Sequence, residues 1–282
     1  MKHFGRRMAI AAMGLMLAGP AVAATPDAAA PRTESDLPDV TLTALSTLPP
    51  SPEKGAVDQF CDHYRVAPES DAGKLVAGRG WIVTSEAKLG SYQAVSFASG
   101  FEPGTSGICF ARNANIGIFS QADLVALAYT PKTSKTVLGP VAPLEGDALQ
   151  IWGGDGPGSP IGEIHEVQGV LRLQANAAEQ PVCNGKAIVP NIYDKPITEA
   201  RKLLAAKGWA PKAPDEAPGE GDGAASLAKH GLIEAEACSG TGVGYCRFTY
   251  SGPAGTLGVS TVGGDSEDGS QDTVVNYGVH CS

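Results

Sequence analysis

Few residues in this chain stand where they could do chemistry together, and each grouping also has a structural use. Cys61 and His63 lie two positions apart, the arrangement of a thiol beside a base. A nucleophilic thiol must stay reduced and be held as thiolate by its neighbour. The cysteines after the N-terminal segment are Cys61, Cys109, Cys183, Cys238, Cys246 and Cys281. An even set in an exported chain reads as disulfides, which leaves Cys61 bonded and the pair inert. His165 has Glu163 two positions before it on a strand-like run, so alternation puts both on one face and Glu166 on the other. A carboxylate could orient that imidazole, but the pattern equally describes an ordinary solvated strand face, and that is the reading adopted. His230 and His280 complete the histidines of the mature chain.

Other chemical patterns fail on context. No G-x-S-x-G pentapeptide occurs, and Thr105-Ser106-Gly107, although preceded by Gly104, reads as a turn. The S-x-x-K spacing occurs at Ser51–Lys54 and Ser85–Lys88, without the S-D-N or K-T-G companions of penicillin-recognising enzymes. The first sits among prolines that oppose the required helix, and the second follows a strand. The glycine-rich run Gly153 to Gly158 is followed by Pro160 and a strand, not by the helix N-terminus a phosphate cradle needs. The acids Asp265, Glu267, Asp268 and Asp272 lack EF-hand spacing and read as an acidic turn. Close C-x-x-C or H-x-x-x-H pairs, the mark of a zinc site, are missing. The expectation is a chain with no catalytic residues, no metal and no cofactor.

Composition sets the frame for these residues. Of 282 residues 43% are hydrophobic, enough for a real core. Charged residues at 18% and aromatics at 6% are thin against 36 glycines and 21 prolines, a mix that favours short strands and turns over long helices. A formal charge of −9 offers no basic stripe for phosphates and excludes a nucleic-acid binder. At the N-terminus Lys2, His3, Arg6 and Arg7 precede the apolar run Met8 to Leu17 and the small residues Ala21-Val22-Ala23. These are the three zones of a secretory signal peptide over residues 1–23, too short to be a stable membrane span. Its removal takes three cations and no acid, which leaves the mature chain at about −12. A periplasmic or secreted protein with no membrane span is expected.

Residues 24–55 are rich in proline and alanine and read as a disordered leader. Residues 56–180 read as a β-rich domain, a small sandwich or barrel. A helix opens at Ala67 to Asp71 and ends by Gly80, and strand-like runs follow at 81–84, 92–97, 107–111, 116–119 and 124–129. Two more, 161–167 and 170–173, flank the hairpin pair Gln168-Gly169. Residues 181–282 read as an α+β domain of two helices on a four-stranded antiparallel sheet. Pro196 and Gly208 bound a helix that sets Ile197, Ala200, Leu203 and Leu204 on one face, and Asp222 caps a second. Runs at 233–237, 244–250, 256–262 and 273–280 alternate; Cys246, Phe248 and Tyr250 share one face, Tyr245, Arg247 and Thr249 the other. This map pairs Cys61 with Cys109, Cys238 with Cys246 across a hairpin, and Cys183 with Cys281 end to end.

The segment Val189 to Trp209 resembles the opening of a PASTA domain, through Val189-Pro190-Asn191, Glu199-Ala200, Leu203 and Gly208-Trp209. Asp194 and Pro196 depart from that family's usual glycine and serine or threonine, and the match spans about 21 residues. The resemblance implies a non-catalytic binding module for peptidoglycan fragments or another cell-wall ligand. Two helices followed by four antiparallel strands also look like one repeat of secreted β-lactamase inhibitors, which implies an inhibitor of a secreted hydrolase such as a β-lactamase or protease; peptidoglycan fragments or an envelope protein are the partners expected. A third alternative is an exported hydrolase whose site is assembled from residues distant in sequence. Trp209, just past the helix, and Tyr245, at the hairpin tip, are the expected binding aromatics.

Overall fold

The computed structural model describes Met1 and residues 31–282, apart from 56–58, 106, 157, 241 and 264–267. The body of the signal segment, the first part of the leader, Ser106, and Asp265 and Glu267 of the acidic run lie outside the described residues.

Apolar alternation broken by glycine and polar turns yields a β-rich chain. First come β1 (Arg32–Ser35), β2 (Thr41–Ala44), a 3-10 helix over Gln59–Tyr64, and α1 (Asp71–Gly78). Next are β3 (Ile82–Leu89), β4 (Tyr92–Ala98), β5 (Gly100–Pro103), β6 (Cys109–Arg112), β7 (Asn115–Ser120) and β8 (Asp123–Tyr129). After them run β9 (Leu138–Pro143), β10 (Ala148–Gly153), β11 (Pro160–Val167) and β12 (Val170–Gln174). Gln168 and Gly169 both take positive φ, 52° and 77°, the two-residue turn whose twist matches the strands it joins.

Ten of these strands form two five-stranded sheets, ordered β1-β12-β11-β10-β9 and β2-β8-β7-β4-β3. Their facing residues share one buried cluster, to which Ile151, Ile164 and Leu173 come from the first sheet and Ile82, Ile116 and Ile118 from the second. Ser96 Oγ donates to the Gly139 carbonyl at 2.6 Å, and Ser85 Oγ accepts from the Val141 amide at 2.8 Å, which fastens β3 and β4 to β9. On its other side the second sheet packs Val83, Phe97 and Phe119 against Ala72 and Val76 of α1. That helix starts where expected, with Ser70 Oγ accepting from the Gly73 amide at 2.9 Å.

The leader needs correction. Within the expected disordered segment, β1 lies parallel to β12 and β2 antiparallel to β8. Val40 and Leu42 are buried members of the main cluster. The cause is a short period-two pattern, Val40-Thr-Leu-Thr-Ala44, that the surrounding prolines obscure; β-branched threonines on its other face suit a strand. The run at 107–111 also differs from expectation, since β6 pairs with β5 in a separate hairpin and not within the main sheets.

Beyond residue 178 the chain forms the hairpin β13 (Glu179–Val182) and β14 (Ala187–Pro190), then α2 (Ile197–Ala206), β15 (Ala210–Pro211) and α3 (Gly223–Lys229). It ends in β16 (Ala235–Cys238), β17 (Cys246–Gly252), β18 (Gly255–Val262) and β19 (Thr273–Cys281), paired antiparallel in sequence order, with β15 also on β17. One face of this sheet, through Phe248, Leu257 and Val259, meets Ile197, Ala200 and Leu204 of α2 and Leu227 of α3 in a second buried cluster. Asp222 caps α3 through the Ala224 amide at 2.9 Å and also holds the Cys238 amide at 3.0 Å.

Disulfides join Cys61 to Cys109, Cys183 to Cys281 and Cys238 to Cys246, the pairs derived from the cysteines' places in the chain, and no free cysteine remains. Three such bonds suit an oxidising, extracytoplasmic environment. Among the described residues no helix is long and apolar enough to cross a membrane.

Candidate functional site

The outward face of β10, β11 and β12 carries the only histidine–carboxylate pair whose spacing suggested chemistry. Strand register sets Gln150, Glu163 and Gln174 side by side across the three strands, and puts Ala148, His165 and Arg172 in the next row. The first row is not solvated as expected. Glu163 and Gln150 are only 1% and 3% exposed, because the segment leading to β13 lies over them. That segment satisfies the buried polar groups: Ala177 N–H and Gln180 Nε2 donate to Glu163 Oε1 at 2.8 and 3.3 Å, and Gln150 Nε2 donates to Asn176 Oδ1 at 2.9 Å.

Glu163 Oε2 lies 2.7 Å from His165 Nε2, and Gln174 Nε2 stands 3.2 Å from the same ring nitrogen. Burial pushes the Glu163 carboxyl upward, but the bonds from His165, Ala177 and Gln180 outweigh it and hold the group below the usual range. The imidazole is therefore oriented by an ionised carboxylate, as in a hydrolytic triad, and its Nδ1 faces no partner within the described residues. The third member is missing: among the described residues no serine, threonine or cysteine hydrogen-bonds His165. Next to this row Trp152 meets Tyr193 edge-on, and Tyr193 stacks on Tyr277 at 4.3 Å between centroids. Burial drives both phenols far above their ordinary pKa, with the Tyr277 phenol raising Tyr193 further and the Glu163 carboxylate raising Tyr277.

A second arrangement occupies the outer face of β17, β18 and β19. Register aligns Arg247, Ser260 and Asn276 in one row, Thr249, Gly258 and Gly278 in the next, and Ser251, Thr256 and His280 in a third. The two glycines are direct partners, and a Cβ built on either would meet nothing within 4 Å. Two missing side chains in the middle row leave a shallow trough of about 450 Å³ between polar rims. Thr249 Oγ1 donates to Glu236 Oε1 at 2.6 Å on one flank. The side chains of Arg247, Asn276 and His280 have no hydrogen-bond or ion-pair partner among the described residues. Unengaged donors around an open floor are what a ligand site needs before the ligand arrives.

The aromatics expected to bind lie elsewhere. Trp209 is fully buried in the second cluster, with Nε1 donating to the Ile188 carbonyl at 2.8 Å, so it is a core residue and its assignment as a binding residue is withdrawn. Its place after Gly208 at a helix end, beside Gly252, lets the chain fold the indole under α2. Tyr245 is 38% exposed at the hairpin, but off the trough and near Tyr64; partial burial and that neighbour raise its pKa. Cys61 is in a disulfide, and His63 Nδ1 pairs with its own helix at the Phe60 carbonyl, 3.0 Å away. Ser85 and Lys88 fall on opposite faces of β3. Among the described residues no cluster of histidine, cysteine and acidic side chains could hold a metal ion.

Alternation sets Arg247 and Thr249 on the face opposite Phe248 and Tyr250 without marking them as a site. The available signal was the pair of mid-strand glycines, Gly258 and Gly278, since glycine inside a strand often marks a close approach of something else. The chain matches no protein-family model, no curated protein and no solved structure.

Proposed function

We propose that this protein is an exported, non-catalytic binding module that holds a muropeptide-like fragment of the cell wall in the trough on β17–β19. The observation that carries the reading is the set of unpaired donors, Arg247, Asn276 and His280, around the glycine floor. Sugar hydroxyls would bond Thr249, Thr256, Ser260 and Asn276, and a peptide carboxylate would fork onto Arg247. The volume of about 450 Å³ lies within the usual span of small-ligand sites. The PASTA-like segment supports the same ligand class and lies in the same half. A groove beside that segment competes less well, because Lys195–Glu199 and Lys207–Glu179 already neutralise each other there. The reading rests on two folding units, the second comprising residues 181–282, supported by the separate buried clusters and by two disulfides closed within that half.

The test is calorimetric titration of the mature protein with a disaccharide–tetrapeptide wall fragment. Saturable binding is expected, and Arg247→Gln should weaken it about tenfold, the worth of one charge-assisted hydrogen bond. Absence of binding to the fragment, with none to insoluble peptidoglycan in a sedimentation assay, removes the reading. One observation favours a hydrolase instead, the Glu163–His165 pair. Turnover of a generic ester or glycoside that co-purifies with the protein and vanishes in His165→Gln would establish it. The inhibitor alternative uses the same open face for a protein partner and is separated by mixing with secreted hydrolases.

A further inference from the structure

We propose that a second groove, across the outer face of β1, β12 and β11, binds a small monocarboxylate with a short apolar body. This site is independent of the trough on β17–β19. Strand pairing builds it in two rows. Glu34, Arg172 and His165 form one; Arg32, Val170 and Val167 form the other. The concavity over them holds about 340 Å³.

The polar row is fixed from behind. Arg172 Nε donates to Glu34 Oε2 at 2.9 Å and its Nη2 reaches the same oxygen, so this guanidinium is already half neutralised. His165 is held through Nε2 by the buried Glu163, which leaves Nδ1 without a partner among the described residues at the end of the row. Arg32 is exposed and has no ion-pair or hydrogen-bond partner among the described residues. Arg172 is engaged by Glu34 and His165 by Glu163, so Arg32 is the one cation of the lining without an anionic partner, which suits a single carboxylate better than a phosphate dianion. The other row explains the second half of the ligand. Val167 is 57% exposed and Val170 half-buried, so an apolar strip runs beside the free arginine. A carboxylate on Arg32 would lay its chain across both valines.

The experiment is a titration of the ¹⁵N-labelled full-length mature protein, at constant ionic strength, with hexanoate, acetate and inorganic phosphate. Hexanoate should give saturable shifts confined to the amides of residues 32–34 and 165–174. Acetate should bind about tenfold more weakly, because it lacks the methylenes that cover Val167 and Val170, and phosphate should not saturate. Arg32→Gln should raise the hexanoate Kd about tenfold, Val167→Thr should remove most of the advantage over acetate, and Lys186→Gln should leave both unchanged. Both informative positions lie at the surface, so the variants keep the fold. Equal shifts from the three anions would reduce the groove to a bare cationic surface and overturn the proposal, as would linear, unsaturable hexanoate shifts or an Arg32→Gln protein that binds like wild type.

Discussion

The face of β10–β12 and the face of β17–β19 are built alike. Each is the outward side of three antiparallel strands whose other side faces a core, and each carries a row of polar side chains across those strands. On the first, Glu163 and Gln150 are sealed beneath residues 176–180, and their bonds are made inside the protein. On the second, Arg247, Asn276 and His280 face open space with their bonds unmade. The difference lies in what covers the strand, not in the strand. A buried polar row must be satisfied internally and so stabilises the fold, whereas an open row keeps its bonding capacity for a ligand. The covered row of the first face should therefore govern stability and the open row of the second affinity.

The largest stability loss is expected where the open face is anchored. Cys281 ends β19, one residue after His280, and its partner Cys183 lies 98 residues earlier. Replacing both by alanine releases a loop whose closure is worth roughly 4–5 kcal/mol in the chain-entropy model. The midpoint of chemical unfolding should drop accordingly, and wall-fragment binding should weaken because the rim residue His280 loses its tether. A variant that retains the wild-type midpoint would mean that β19 is held by its pairing with β18 alone.

Next in size is the buried row. Glu163→Gln keeps the shape but discards the charge that the His165 ring nitrogen, Ala177 and Gln180 address, and should cost about 1–3 kcal/mol. The effect has a pH signature. The folded-state pKa of Glu163 is depressed, so its contribution is complete above the unfolded carboxyl value, about 4.3, and is lost as pH falls through the lower folded value. Wild type should lose stability on acidification through that window, and Glu163→Gln should lose less. Parallel acid-unfolding curves for the two proteins would contradict the assignment of Glu163 as the charged centre of the covered face.

How much of this was legible follows from the same comparison. Alternation over 244–250 places Arg247 and Thr249 opposite Phe248 and Tyr250, and the fold agrees. The same rule put Glu163 and His165 on one face correctly, yet named the environment wrongly, because residues 176–180 return over that face from outside the local pattern. The cysteine pairs were legible because the positions of the helices and strands left few sensible closures. Trp209 was ambiguous at its helix end, since whether an aromatic there stacks outward or folds under depends on Gly252, 43 residues away. Val40 and Leu42 were hidden by neighbouring prolines, and the strands that receive them, β8 and β12, come much later in the chain. In each case the missing information was a long-range contact, which composition and periodicity do not encode.

The smallest effect on stability should come with a large effect on binding, at Gly278. This residue sits mid-strand in β19 opposite Gly258, its φ is not in the left-handed region, and a Cβ would touch nothing. A β-branched residue is at home in such a place. Glycine within a strand costs roughly 0.5–1 kcal/mol of backbone freedom relative to alanine, so Gly278→Val should leave stability unchanged or raise it slightly. The same substitution fills the floor between Arg247 and His280, where the ligand would have to lie. Unfolding midpoint and wall-fragment affinity should therefore move apart: the first steady or higher, the second reduced at least about tenfold, the equivalent of 1.4 kcal/mol. A valine variant that binds as well as wild type would show that the glycine pair is not the floor of the site. One that unfolds readily would show that the open face is less open than its geometry indicates. Separation of the two measurements at this position is the sharpest distinction between a face that holds the protein together and a face that holds something else.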